Sequence, residues 1–559
     1  MPFDLLAQPW IPLQHLTRNG TTEVNLLTAL KDARSYRRLV GSTPTMTAAL
    51  HRLLLAFAHR ACGPATMEAW AELWHRTDGF PEGPLMQYAA QHRGAFDLFD
   101  PERPFFQCPA LAALDPKSIA PLVSFRSGGN NRTFFDHTLD TDRPLLEPAE
   151  AARWLVTVQM YDTGGNKTPH RGKASKSSTK GLGNDFGCVL VEGRNLYETL
   201  LLNAVRYDPK WELPNGLTSL DDRPVWEEGK PPPPEPDERQ ARGWTDLLTW
   251  PSRRVLLHTR QIDDRVWVDG VRLTPGTKLT TTQLNDIELM AAFREDKLRK
   301  EANPKPGKKA DKQPNPLRAI RLRPVEGAWR YARSLLLSDD PRWFSGRASA
   351  GLTRYEPRRQ RPYALDHIAE VVGRGHIDES TVYTLRIFGQ NLLPGKLGAI
   401  ATWHEESVLM PVALLRAQDA SLGSVIGVST DFADDVAQAL HTMVTTYGDD
   451  FNAKYDFKGH VSFLEDKYWP SLAAPFDHLL RTLAEALRAD RPTRPAFAAW
   501  GDTVTRIANQ VANDWVHGAD RRQRTLLHIG HARQATQLEL KTARNLFEDG
   551  LNKYLQEAS

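Results

Sequence analysis

Between Thr163 and Asn184 the chain reads TGGNKTPHRGKASKSSTKGLGN: five basic residues (Lys167, Arg171, Lys173, Lys176, Lys180), five glycines and no acid. Those residue types at that spacing suit one task, closing on a polyanion backbone. Glycine lets the main chain come near phosphates, and lysine brings the charge. A segment without apolar periodicity cannot bury enough surface to offset its ordering entropy, so alone it is expected to be mobile. Apolar stretches flank it, RWLVTVQMY before and CVLVEGRNLYETLLLNAV after, which makes it a loop held at both ends by folded structure. The competing reading of such a charge run is an inert solvated loop.

Further along, Arg294 to Arg330 holds twelve Lys/Arg against five Asp/Glu, with a second basic loop, NPKPGKKADKQPNP, at its centre. Arg342 to Arg361 carries six arginines against Glu356. Gly389 to Gly398, GQNLLPGKLG, reads as a hairpin tip bearing one lysine. Local charge of this kind, with no complete catalytic motif, points to a nucleic-acid-binding platform.

Several motifs come close and fail. A phosphate-binding P-loop needs GxxxxGK[ST]; here Gly172-Lys173 is followed by Ala174, and Lys167 stands where the first glycine belongs. Gly181, Gly183 and Gly187 miss GxGxxG by one place, and a lysine-rich loop precedes them instead of a buried strand. His404-Glu405 never becomes HExxH, and His528 and His531 lack an evident third ligand. Asp434-Asp435 and Asp449-Asp450 read as helix-start or turn acids.

Composition sets the frame. The 559 residues are 41% hydrophobic and 25% charged, an ordinary globular balance, and allow two to four domains. A net charge of +3 decides little, so local patches must carry any nucleic-acid argument. Cys62, Cys108 and Cys188 lie far apart, which excludes a zinc ribbon and fits a reducing cytoplasm. No apolar run approaches a membrane span, and the N-terminus lacks a signal-peptide pattern. Fifteen tryptophans could serve cores, partners or base stacking.

The elements that must position these loops follow from periodicity. Phe3 to Leu13 and Glu23 to Leu27 read as strands around an Asn19-Gly20 turn. Thr47 to Ala61, Thr66 to Arg76, Glu147 to Tyr161 and Asn195 to Val205 read as helices, with Pro148 well placed at a helix start. Gly79 to Pro84 breaks the pattern, and Gly229 to Asp237 is a proline-rich spacer. Val266 to Leu273 reads as a hairpin turning at Asp269-Gly270, and Tyr383 to Phe388 as a strand. From Trp403 onward the pattern turns helical. Its stripes are Val436, Leu440, Met443, Val444 and Tyr447; Phe476, Leu479, Leu480, Leu483 and Leu487; Trp500, Val504, Ile507, Val511 and Trp515; and Leu540, Phe547, Leu551 and Tyr554. The expected fold is α+β: a large mixed α/β N-terminal domain, residues 1–400, carrying the loops, then a C-terminal four-helix bundle, residues 401–559.

An ordered series of segments resembles a known family. FDLLAQPWIPLQ…NGTTEVNLLTAL, DLFDPERPFFQ, NNRTFFDH and WPSRRVLLH are similar to CasA, the large subunit of the type I-E CRISPR surveillance complex Cascade. The similarity runs nearly end to end. It implies a subunit that is not an enzyme, needs no cofactor, and works with crRNA, target double-stranded DNA, the other Cascade subunits and the helicase-nuclease. Guide pairing would read the target while this subunit reads the adjacent motif, the PAM, from the minor groove. The family's glycine loop falls on Gly172 to Gly181, which gives Gly172, Lys173, Lys176, Lys180 and Gly181 as DNA contacts. Its lysine finger falls on Lys297, with Lys300 a near rival after Phe293. Its wedge falls on Pro394, Gly395, Lys396 and Leu397, with Lys396 where relatives have glutamine. The loop tied to the crRNA 5′ handle falls on Asn130, Asn131, Phe134 and Phe135. Some relatives carry a mid-chain cysteine cluster; it is absent here, so no zinc is expected. The alternatives are a general RNA- or single-strand-binding scaffold, a metal-dependent nuclease with scattered carboxylates, and inert loops.

Overall fold

The computed structural model describes residues 2–126, 144–170, 177–206, 220–280, 284–295, 316–322, 327–336, 359–393, 399–416, 420–449, 457–518 and 523–555. It divides into two compact units. The first comprises Met1–Arg321, Pro362–Ala364 and Arg386–Glu405; the second comprises Leu322–Arg361, Leu365–Leu385 and Glu406–Ser559.

The first unit opens on a three-stranded antiparallel sheet. The strand Ile11–His15 lies between Thr21–Val24 and Tyr36–Leu39, and Gly20 takes the turn with φ +105. The helix Pro44–Cys62 follows. Thr43 caps it by accepting from the Met46 N–H, and Pro44 occupies the first turn, where its missing N–H costs nothing. Leu50, Leu53, Leu54 and Phe57 are all buried, and the helix packs against Pro148–Tyr161. Trp10, Trp70, Trp154 and Trp244 are fully buried, so much of the tryptophan surplus serves this core.

Two local readings change. Gly79 does break the chain, at φ +93, but a helix, Glu82–His92, starts at once. Pro84 sits in its first turn, where proline is tolerated. Asp269-Gly270 is not a hairpin turn. The strands Arg253–Ile262 and Arg265–Pro275 pair along their length and turn at Asp263-Asp264. The register shifts because His258 faces Gly270 while Thr259 faces Val268, so Asp269 is the extra residue of a β-bulge. Its buried carboxylate lies 2.6 Å from His258 Nδ1 and 3.1 Å from Arg260 Nε. Gly270 is pressed against the main chain: a Cβ there would lie 2.6 Å from Lys117 O.

The strand Val382–Leu392 joins Ile400–Pro411 and Cys188–Glu192 in a three-stranded sheet. Ile400–Pro411 corrects the helical reading from Trp403. His404, Val408 and Met410 are buried, while Glu405 and Ser407 are exposed, a period of two. Helix begins only at Val412.

In the second unit, Ala420–Asp449, Phe457–Arg488, Arg494–Gly518 and Gln523–Leu555 form a bundle. Val436, Leu440, Phe476, Leu480, Val504, Val511, Phe547 and Leu551 line its interior, as their spacing requires. The fold class read from the sequence is therefore borne out. Asp434 lies inside the first of these helices, not at its start, and its carboxylate sits 2.7 Å from the Arg330 guanidinium. Trp329, contributed from far upstream, packs its ring 5.2 Å from Phe476 and 5.8 Å from Trp500. Pro470 and Pro475 lie inside the helix Phe457–Arg488, which continues through both. They deny hydrogen-bond donors to the carbonyls of Asp466 and Ser471, beside a groove of about 560 Å³ lined by Asp466, Pro470, Pro475, Arg506 and Asp514.

Candidate nucleic-acid interface

The glycine loop stands on a built root. The helix Pro148–Tyr161 ends at Asp162, whose side chain is buried. One carboxylate oxygen accepts from the Gly164 N–H and the Arg253 guanidinium, both at 2.7 Å; the other accepts from Lys167 Nζ at 2.8 Å. Burial works to raise the Asp162 carboxyl, but the charges of Arg253 and Lys167 outweigh it and hold the group below the ordinary carboxylate range. Gly164 and Gly165 turn the chain with φ +80 and +89, and Gly165-Asn166 pairs antiparallel with Ser177-Ser178 across the neck of the loop.

The returning arm is fastened to the same place. The Gly181 N–H donates to Asp162 O at 2.7 Å, and Arg253 reaches Thr179 O at 2.5 Å. Asn184 Nδ2 donates to both Asp162 O and Gly181 O at 3.0 Å. Lys180 Nζ lies 2.6 Å from the Asp185 carboxylate, which also takes Arg321 at 2.7 Å.

The other two roots lie alongside. The hairpin strand Val382–Leu392 sends buried Gln390 into the glycine-loop root: Nε2 donates at 2.8 Å to both Tyr161 O and Asn184 Oδ1. The Leu393 N–H donates to Ala399 O, closing the hairpin just below its tip. Gly389 accommodates the neighbouring strand, since a Cβ there would lie 2.5 Å from His404 Nε2. Burial pushes that imidazole down to about 4. The strand Phe293–Glu295, which leads into the Lys297 segment, pairs antiparallel with Leu317–Ala319. There the Ile320 N–H donates to Ala292 O while Ile320 O accepts from the Gly187 N–H. The roots of all three loops thus belong to one hydrogen-bonded patch of the first unit.

Of the site residues read from the sequence, Lys180 and Gly181 are among those described. Gly181 is buried with its N–H engaged, so it shapes the root of the loop. Lys180 is partly exposed and ion-paired. Gly172, Lys173, Lys176, Lys297, Lys300, Pro394, Gly395, Lys396, Leu397, Asn130, Asn131, Phe134 and Phe135 lie outside the described residues. The sequence reading missed Asp162, Asn184, Arg253 and Gln390. Their partners stand up to 229 residues away, and no local signal marks them.

The family model for CRISPR-associated protein Cse1 matches residues 4–511. The chain belongs to the Cse1 family. A curated relative, CRISPR-associated protein CasA/Cse1 of Thermus thermophilus, is 37% identical over 277 residues, 48% of this chain and 50% of that protein. The match therefore spans about half the length of that relative. The crystal structure of Thermobifida fusca Cse1 is 28% identical with a TM-score of 0.79, covering 98% of each chain. A chain of a CRISPR RNA-guided surveillance complex has the same fold, with a TM-score of 0.70 at 17% identity over 96% of this chain and 99% of that one. The CasA resemblance is borne out at the level of family. Among the described residues, no group of three or more His, Cys, Asp and Glu is arranged to hold a metal ion, and no helix is long and apolar enough to cross a membrane.

Proposed function

We propose that this Cse1-family chain is the large, non-catalytic subunit of a crRNA-guided type I-E Cascade complex. In this reading it reads the PAM of double-stranded DNA through the minor groove, wedges the first base steps apart and recruits the helicase-nuclease. The observation that carries the reading is the common root of the glycine loop, the lysine segment and the hairpin. Loops rising from one patch can meet one short duplex; loops rooted on opposite faces could not. Lys173 and Lys176 bring charge to the phosphates, Lys297 or Lys300 enters the groove, and the 394–397 tip with Lys396 fills the gap between parting pairs. Opening costs about 1–2 kcal/mol per stacked step, which phosphate contacts and guide pairing offset. Minor-groove reading chiefly separates A·T from G·C, so a tolerant PAM preference is expected. The residues 130–137, with Phe134 or Phe135 as anchor, serve the crRNA handle and assembly with the remaining subunits of the complex.

The test is reconstitution with the other type I-E subunits and crRNA, with target binding measured over a randomised PAM with and without this chain. PAM-dependent binding that requires the chain is expected; equal binding to every PAM would favour a general scaffold. Replacing Lys173 and Lys176 with Ala should weaken binding for all sequences and reduce the salt slope by about 0.9 per lost contact. Unchanged slopes would remove these lysines from the phosphate-contacting set.

A further inference from the structure

The side chain of Gln390 does something that neither loop needs for itself. It leaves the hairpin, lies buried, and spends both amide hydrogens on the other loop's root: one on Tyr161 O at the opening arm, one on Asn184 Oδ1 at the closing arm. Asn184 passes the connection on, donating to Asp162 O and Gly181 O. The chain of donors runs in one direction, from hairpin to glycine loop. Meanwhile Gln390 Oε1 is buried and finds no hydrogen-bond partner among the described residues. Gly181 cannot yield easily, since a Cβ there would lie 2.5 Å from Met160 O. A Cβ on Gly183 would similarly lie 2.6 Å from the Tyr161 ring. Both arms and the hairpin root are close-packed as well as bonded, and such contacts transmit displacement.

We propose that Gln390 is a positioning residue that couples the glycine loop to the hairpin, so that gripping the duplex and inserting the wedge occur as one movement. The inference rests on the PAM-reading function above. When the duplex seats against the glycine loop, its root is held against Gln390, and the hairpin six residues before Lys396 is fixed in register with it. Without the coupling, the loop would still grip DNA but the tip would not be aligned with the first base step.

The test compares wild type with Gln390→Met, which keeps the volume and removes both donors, in the reconstituted complex. Three readings are taken: binding of a short PAM duplex, opening of the first base pairs by 2-aminopurine fluorescence, and binding of a target already unpaired at those positions. For the variant, duplex binding within about twofold of wild type and opening slowed by about tenfold or more are expected, with full recovery on the unpaired target. A fourth reading needs no nucleic acid: hydrogen exchange at the Gly181 amide of the free chain should be faster in the variant. Should Gln390→Met fail to fold, Gln390→Leu serves, since its smaller apolar side chain also removes both donors to Asn184 Oδ1 and Tyr161 O. Wild-type opening rates in the variant, or equal loss of duplex and unpaired-target binding, would overturn the coupling. A wild-type complex that opens DNA with no PAM dependence would instead overturn the function on which it rests.

Discussion

Asp162 is the residue on which the loop root turns. It is a buried carboxylate that faces two cations and a main-chain N–H and also terminates a helix. Its ion pairs are stabilising only because all the partners are present; removing the charge leaves Arg253, itself 2% exposed in its side chain, uncompensated. Asp162→Asn keeps the acceptor for Gly164 but discharges the site, and should cost about 3–5 kcal/mol in urea denaturation. Lys180, like Lys167, is held by an acid at the root. Held by Asp185, it has less charge to give a phosphate than a lysine without an acidic partner. The basic residues of this stretch looked alike in the sequence, where none had a visible partner. The acids that separate them, Asp162 and Asp185, stand at the edges of the run and became meaningful only once the chain had folded back on itself.

At the scale of elements, the legible parts were those whose cause is local. The bundle helices are announced by stripes such as Val504, Ile507, Val511 and Trp515, because steps of three and four residues gather apolar side chains on one face of a helix and scatter them over both faces of a strand. The hairpin around Asp269-Gly270 shows the limit. Asp269 and Gly270 favour a tight turn, yet ladder pairing on both sides absorbs them as a bulge. Gly270 is there because the Lys117 main chain passes close by, with bonds from Lys117 N to Val271 O and back at 3.0 and 2.9 Å. Gly270→Ala should therefore lower stability by about 1–3 kcal/mol through overpacking, seen as a reduced thermal midpoint. A neutral outcome would mean that the Lys117 segment moves freely. The candidate site was half legible for the same reason. The basic loops could be found from composition, but Arg253 and Gln390, which hold the root, lie on strands far along the chain and carry no pattern of their own.

Over each unit as a whole, buried groups set how the molecule responds to its surroundings. His51, His59 and His404 of the first unit are each pushed down to about 4 by burial. Unfolded histidines take up protons near pH 6.5, while these remain neutral until about pH 4. Stability of the first unit should be complete above about pH 6.5 and fall as the pH drops toward 4, by about 1.4 kcal/mol per group per pH unit inside that window. Urea midpoints across that range measure it, and His404→Leu should shallow the slope by one group's share. In the second unit, Trp329 fills the space against Trp469, Phe476 and Trp500. Trp329→Ala should cost about 3–5 kcal/mol, read as an earlier unfolding transition in calorimetry. An unshifted transition would show the ring to be dispensable to the bundle.

The two prolines of Phe457–Arg488 have a mechanical consequence. A helix resists bending through its ladder of carbonyl-to-amide rungs, and here two rungs are missing five residues apart. A load applied at one end of that rod is spent in flexing it midway instead of being delivered to the far end. The bundle is thus compliant along one of its longest members, at the level where Asp466, Pro470, Ser471 and Pro475 line a groove.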